Sequence, residues 1–290
     1  MSEQLEAARR FYAEALRATA HLRLPAVVAA FATVPRERFV GAGPWRLQNP
    51  MDSAGYRTTE DADPRHLYHD VMVALDEVQG INNGQPSLWA FLLDQLDIAA
   101  GANVLHLGCG TGYYTAIMAE LVGPTGKIMA IDIDAGLAEK ARAALMPWPQ
   151  IAVSNADGAS ISFDPVDLIV ASAGATHPLP SWLNALKPGG RLLFPMTANE
   201  GAGMMLLVAR EAENGFAARF LCRVAFIDFS GARNLNTSRR LAAAFSRDGG
   251  GAVQSLRRDH HTKGRMCWLH GDGWCLSRRP AVARSSRPRQ

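Results

Sequence analysis

The run VLHLGCGTGYYTA, residues 104–116, decides the fold. An apolar strand ends at Gly108-Cys109-Gly110-Thr111-Gly112, and a segment with helical spacing of apolar residues starts at Tyr113. Alternating glycines between strand and helix let the backbone turn tightly and let a ligand approach it with no Cβ in the way. A dinucleotide fingerprint G-x-G-x-x-G would need its third glycine at position 113, which Tyr113 occupies, and no G-x-x-x-x-G-K-[ST] element is present to cradle phosphates. Hydride chemistry on a nicotinamide cofactor therefore loses ground.

Outward from this turn, the pattern alternates. Strands are expected at residues 103–107, 127–131, 151–154, 166–172 and 191–194, with helices at 113–122, 137–145 and near 181–186. Short apolar strands separated by helices indicate a parallel sheet covered on both faces. Residues 203–210 and 216–229 then read as two long strands joined through Glu213-Asn214-Gly215, an antiparallel hairpin. The expected class is α/β: a doubly wound, mostly parallel seven-stranded sheet with an antiparallel C-terminal hairpin. Upstream, helices are expected at 3–19 and 25–33, a long polar loop of the kind that often serves function at 41–64, and a buried helix after Pro86. The organisation reads as an N-terminal helical and loop region (1–80), a ligand-binding domain (81–230) and a C-terminal extension (231–290).

Composition narrows the classes. With 290 residues, 48% hydrophobic and 20% charged, the chain is long enough to bury a sizeable core, and no run approaches the roughly 18 apolar residues of a membrane span. The start, MSEQLEAARR, has acids where a signal peptide needs a basic, then apolar, stretch, and four scattered cysteines make no disulfide framework; both point to the cytoplasm. The net charge of +3 is uneven: residues 255–290 hold nine basic residues against Asp259 and Asp272, a local +7, leaving −4 on the rest. The main body thus lacks the basic field of a nucleic-acid binder, and the ending ARSSRPRQ reads as a solvated, fraying tail.

Asp132, followed by Ile133, closes the second strand twenty residues after Gly112, where an acid can accept hydrogen bonds from both hydroxyls of a ribose. Asp157-Gly158 follows the third strand. Acids at successive strand ends, without a phosphate loop, suit an adenosine ligand that carries no phosphates.

Glycine loop, Asp132, Asp157-Gly158 and the run LKPGGRLLFP (186–195) resemble the class I S-adenosylmethionine methyltransferases. Within them, VVAAFATVPRERFV (27–40), with its Val-Pro-Arg-Glu signature, and GYYTAIMAELVGPTGKIMAID (112–132) are similar to the protein-L-isoaspartate O-methyltransferase family; the likeness spans about residues 22–210. It implies a methyltransferase that uses S-adenosylmethionine, releases S-adenosylhomocysteine and methylates a carboxylate of a peptide, a protein or a small molecule. The implied cofactor residues are Gly108, Cys109, Gly110, Gly112, Asp132, Ile133, Asp157 and Gly158, with Gln85 near the methyl donor. Alternatives are a diverged methyltransferase acting on a small molecule or a specific peptide, and a non-catalytic cofactor-binding protein.

The sequence also departs from the family. A loop of the type Thr-Ile-Ser-Gln-Pro reads here Asn82-Asn83-Gly84-Gln85-Pro86, with both hydroxyls gone, so serine at Gly84 is the expected way to raise isoaspartyl methylation if the ancestral pocket survives. Asn82 and Asn83 are candidate donors to a substrate oxygen, and Ser87 a displaced hydroxyl. His106 stands where the family usually has an acid, and reads first as an imidazole satisfied inside the sheet. His177, after the fourth strand, is a candidate base; His66, His69 and Asp70 are candidates to line the same cleft. Neither the Asn-Pro-Pro-Tyr motif of amino methylation nor the Pro-Cys motif of cytosine C5 chemistry is present. His260, His261, Cys267, His270 and Cys275 are zinc-compatible residues, but their spacing matches no finger, so no metal is expected and CWLHGDGWCLS reads as a strand pair packed around Trp268 and Trp274.

Overall fold

The computed structural model describes residues 3–50, 55–198, 201–211 and 215–281. In chain order the elements are α1 (Glu3–Thr19), α2 (Pro25–Thr33), β1 (Arg46–Gln48), β2 (Arg57–Thr58), β3 (Met72–Asp76), β4 (Ile81–Asn82), α3 (Pro86–Leu96), β5 (Asn103–Leu107), α4 (Tyr113–Val122), β6 (Lys127–Asp132), α5 (Ala135–Ala144) and β7 (Ile151–Asn155). There follow β8 (Val166–Ala171), α6 (Pro180–Ala185), β9 (Leu186–Thr197), β10 (Ala202–Arg210), β11 (Gly215–Ala225), α7 (Leu235–Asp248), β12 (Ser255–Arg257), β13 (Cys267–His270) and β14 (Cys275–Ser277). They form two compact units, one of Met1–Asn103 with Cys109–Asn155, the other of Val104–Gly108 with Ala156–Gln290.

In the first unit β6 and β7 pair in parallel, in register from Ile128↔Ile151 to Asp132↔Asn155. Asp134 caps α5 by accepting the Leu137 N–H at 2.8 Å, which starts that helix two residues earlier than its apolar pattern suggests. Helices α1, α2 and α4 bury an aromatic cluster: Phe31, fully enclosed, meets Tyr12 and Tyr113 edge to face, each with ring centroids 6.2 Å apart. The expected loop at 41–64 is in part a sheet. Its β1 and β2 join β3 and β4 in the antiparallel order β2-β1-β3-β4, over a cluster of Val40, Trp45, Leu67 and Val73.

The second unit holds a mixed sheet in the order β13-β14-β12-β11-β10-β9-β8-β5. Its parallel pairs, β5 with β8 and β8 with β9, bear the expected α/β core, and β10 with β11 is the expected antiparallel hairpin, whose Glu213-Asn214 turn residues lie outside the described ones. The strand number differs from seven. The C-terminal region does not stop at the hairpin: β12, β14 and β13 add to its open edge, where the β11 backbone needs partners. The basic ending lies outside the described residues.

Arg36, in a 3-10 turn at Arg36–Phe39, is fully buried. It donates to Asn83 Oδ1 (3.1 Å) and to the carbonyls of Leu67 (2.8 Å), His69 (3.2 Å) and Val71 (2.6 Å), and its guanidinium lies 5.7 Å from the centre of the Tyr113 ring. Arg36→Met leaves these acceptors buried without donors, so it is expected to lower the unfolding free energy by about 3–5 kcal/mol, read from urea denaturation of the full chain.

Candidate active site

The glycine turn is held from both ends within the first unit. Cys109 donates its N–H to Ile131 O (3.0 Å), Gly112 to Cys109 O (3.0 Å), and Gly110 to the Asp132 carboxylate, Oδ2, at 2.7 Å. Asp132 Oδ1 accepts the Asp134 N–H at 3.0 Å. Burial, with only 6% of the residue exposed, pushes the Asp132 carboxyl above its ordinary value; the two N–H donors oppose that. Gly110 has φ +57° and nothing within 4 Å of where a Cβ would stand, which leaves open approach to the backbone. Gly112, at φ +96°, is required for the opposite reason: its Cβ would come within 2.7 Å of Leu145 Cδ1. Beside Asp132, Ile133 is 56% exposed, an apolar surface next to an acceptor. Asn155, which sequence reasoning missed, donates its amide to the carbonyls of Asp132 (3.0 Å) and Ile133 (2.9 Å) and so fixes this strand end.

In the second unit, the Asp157 carboxylate accepts from the Ala159 N–H (2.9 Å) and the Ser160 hydroxyl (2.6 Å), a self-closed turn. Gly158 O takes the Trp182 indole N–H at 2.9 Å, and a Cβ on Gly158 would lie 2.9 Å from Leu107 Cδ2. Gly108, also here, has φ +71°. His106 is buried with Nε2 2.8 Å from Ser172 Oγ, and burial holds its pKa down at about 3, so it is a neutral imidazole within the sheet, as expected. His177 Nδ1 lies 2.9 Å from Thr176 Oγ1, its ring parallel to that of Trp274 at 6.4 Å, and its burial lowers its pKa.

The reactive loop, in the first unit, is more committed than its sequence suggests. Asn82 Oδ1 accepts the Gly84 N–H (2.8 Å) and Asn83 Oδ1 accepts from Arg36, so both amide oxygens are engaged inside the protein. Asp70 gathers the next residues: its carboxylate accepts the Ser87 N–H (2.8 Å), the Ser87 hydroxyl (2.6 Å) and the Gln85 amide (3.1 Å), while the same Gln85 amide also lies 2.9 Å from Ser87 Oγ. Asp70 thereby caps α3 from outside the helix. Of the three residues expected to line one cleft with His177, Asp70 bonds the reactive loop. His66 binds Asp61 at 2.9 Å, and His69 is exposed, its carbonyl serving Arg36.

Gly84 overturns one expectation. It has φ +74°, its carbonyl accepts the Tyr114 hydroxyl at 3.1 Å, and a Cβ there would meet Trp89 Nε1 at 2.8 Å and Tyr114 Cε2 at 3.1 Å. Those two rings stack with centroids 4.6 Å apart and leave no room for a side chain. Serine therefore cannot be restored at this position without disturbing the loop. The structure also draws together His261, Cys267, His270 and Cys275, whose spacing in the sequence argued against a shared site.

A glycine turn that opens a helix after a parallel strand, with a strand-end acid latched to its backbone, defines an α/β protein of the class I methyltransferase type. The profile of Protein-L-isoaspartate(D-aspartate) O-methyltransferase matches residues 11–234, and the chain belongs to that family of S-adenosylmethionine-dependent enzymes. The protein-L-isoaspartate O-methyltransferase 1 of Geotalea uraniireducens is 31% identical over 215 residues, 73% of this chain and 87% of the relative. Two solved structures share the fold. One, named protein-L-isoaspartate O-methyltransferase, has TM-score 0.64 and 21% identity, covering 82% of this chain and 69% of the other. The second, of the same description, is from Plasmodium falciparum in complex with S-adenosyl-L-homocysteine, with TM-score 0.59 and 15% identity over 77% of this chain and 98% of the other. Among the described residues, no helix is long and apolar enough to cross a membrane.

Gly84→Ser is expected to lower stability by about 2–4 kcal/mol through left-handed strain and overpacking, and to lower methyl transfer with it; denaturation midpoints and initial rates check both. His106 has a folded pKa below its unfolded one, so its contribution is complete above about pH 6.5 and is lost as pH falls toward 3. Acidification from pH 6.5 to 5 is expected to cost about 2 kcal/mol at this residue, and less in His106→Gln, by urea titration at each pH.

Proposed function

We propose that this chain transfers the methyl group of S-adenosylmethionine to the free carboxylate of an L-isoaspartyl residue in a peptide or protein. The observation that carries the reading is the link between Arg36 and Asn83: the Val-Pro-Arg-Glu signature, which generic methyltransferases lack, is tied by a buried hydrogen bond to the reactive loop. The acceptor chemistry is simple. A carboxylate is ionised above about pH 4, so an in-line attack on a sulfonium methyl needs no general base, and positioning supplies the rate. His177, drawn to Thr176 and covered by Trp274, is then not needed as a base.

The residues fit the cofactor. The open space beside Gly110 and the half-engaged carboxylate of Asp132 suit a ribose diol, and the exposed Ile133 suits a base. We assign cofactor binding to Gln85, Cys109, Gly110, Gly112, Asp132 and Ile133, all of the first unit. When bound, S-adenosylmethionine supplies an electrophilic methyl on a positive sulfur. The chain's part is orientation. Asp70 holds Gln85 and Ser87 rigid at the start of α3. Asn83, its oxygen engaged by Arg36, is assigned as an amide donor to the substrate carboxylate, whereas Asn82 is shared between the Gly84 N–H and the Tyr56 hydroxyl. Residues 81–230 form the methyltransferase domain in this reading and 231–290 an addition to it. Four free thiols suit a reducing, cytoplasmic setting.

Label from S-adenosylmethionine is expected on an isoaspartyl peptide and not on the matching aspartyl peptide; equal labelling of both, or of neither, overturns the acceptor assignment. Asp132→Ala is expected to weaken S-adenosylhomocysteine binding about tenfold to a hundredfold by calorimetry, and unchanged affinity would remove Asp132 from the ribose site.

A further inference from the structure

The family match ends at residue 234, and the chain beyond it builds a second constellation. We propose that His261, Cys267, His270 and Cys275 bind one zinc ion in a closed Cys2His2 site that holds the C-terminal extension together. One ligand atom from each side chain can be chosen so that all four lie within 4.8 Å of one another. A tetrahedral zinc with these ligands has edges of about 3.3–3.8 Å, so the cluster needs a contraction of about 1.5 Å at most. One edge already has that length: Cys267 Sγ is 3.5 Å from His261 Nε2.

Local structure places each ligand. Cys267 and His270 are three apart on β13, a spacing that in a regular strand points them to opposite faces. The pairing with β14 shifts between Cys267↔Ser277 and Leu269↔Leu276, a bulge that inserts one residue and brings His270, opposite Cys275, onto the side of Cys267. His261 arrives from the preceding loop. Its Nδ1 donates to Asp259 O at 2.9 Å, which sets the tautomer that leaves Nε2 with a free lone pair toward Cys267. The Gly264 N–H points at Cys267 Sγ, 3.4 Å away, as a donor does toward a thiolate.

His270 supplies an independent sign. Its Nδ1 is buried and has no hydrogen-bond partner, a cost that a metal ion removes. A Cys267–Cys275 disulfide would leave that nitrogen unexplained and give neither histidine a purpose. Binding releases the two thiol protons, and two thiolates balance the 2+ ion. With four protein ligands no position stays open for water or substrate, which makes the site structural. Trp274, next to Cys275 in the same hairpin, covers His177, so the metal would also fix that cover.

Full-length protein, purified under reducing conditions and incubated with Zn2+, is expected to retain about one zinc per chain after gel filtration, released on thiol modification with a mercurial. Its Co2+ form is expected to show the strong visible bands of a tetrahedral site with thiolate-to-cobalt charge transfer. Cys267→Ser and Cys275→Ser are each expected to lose the zinc, whereas Cys222→Ser, a thiol outside the cluster, keeps it. Zinc below about 0.1 per chain in the parent, a weak octahedral Co2+ spectrum, or full zinc in both serine variants would overturn the site. None of these readouts depends on methyl transfer, so the site stands or falls apart from the proposed activity.

Discussion

A guanidinium cut off from water must give its N–H groups to oxygen, and it is stable only where the surrounding chain is folded so as to supply those oxygens. Arg36 imposes that condition on the first unit. Its partners come from residues 67–71 and from Asn83, stretches that are far apart in the chain and have little regular structure of their own. Once they converge, Asp70 is positioned at the start of α3, where it takes the Ser87 N–H, the Ser87 hydroxyl and the Gln85 amide. The geometry of the reactive loop thus descends from one buried charge, with the Tyr113 ring under it.

The same economy governs the loop's changed residues. Where the family loop has Thr, Ile and Ser, this chain has two amides and a glycine, and both amides are bonded internally: Asn82 closes a turn on Gly84, and Asn83 receives Arg36. Glycine at position 84 then lets the Trp89–Tyr114 stack sit against the backbone. The loop is therefore not a family loop with groups deleted. It is repacked, and single reversions disturb neighbours that have adjusted to the present sequence.

Where the local pattern is strong, sequence and structure agree. The limits of α1, α2 and α4 and the strand β5 agree with their hydrophobic spacing, because in each the buried side chains are those of one continuous segment. The sheet β2-β1-β3-β4 escaped notice since its strands are two to five residues long and pair across intervening turns. Helix α7 was missed although Asn234 is a good capping residue whose side chain accepts the Thr237 N–H, a signal available in the sequence. Asn155 gave no signal, because its importance lies in the two carbonyls it reaches.

By itself, the sequence determined the α/β class, the glycine turn with its strand-end acid, and the family, since these rest on periodicity and on residue types at short, fixed separations. The tertiary structure alone decided which polar atoms were already engaged and which side chains met. Asn82 and Asn83 look free in sequence and are bonded through their oxygens; Cys267 and His270 look misplaced and are turned to one side by a single extra residue in β13. The physical reason is that hydrogen-bond satisfaction and strand register depend on partners distant in the chain, and local sequence carries no record of them until the fold brings them within reach.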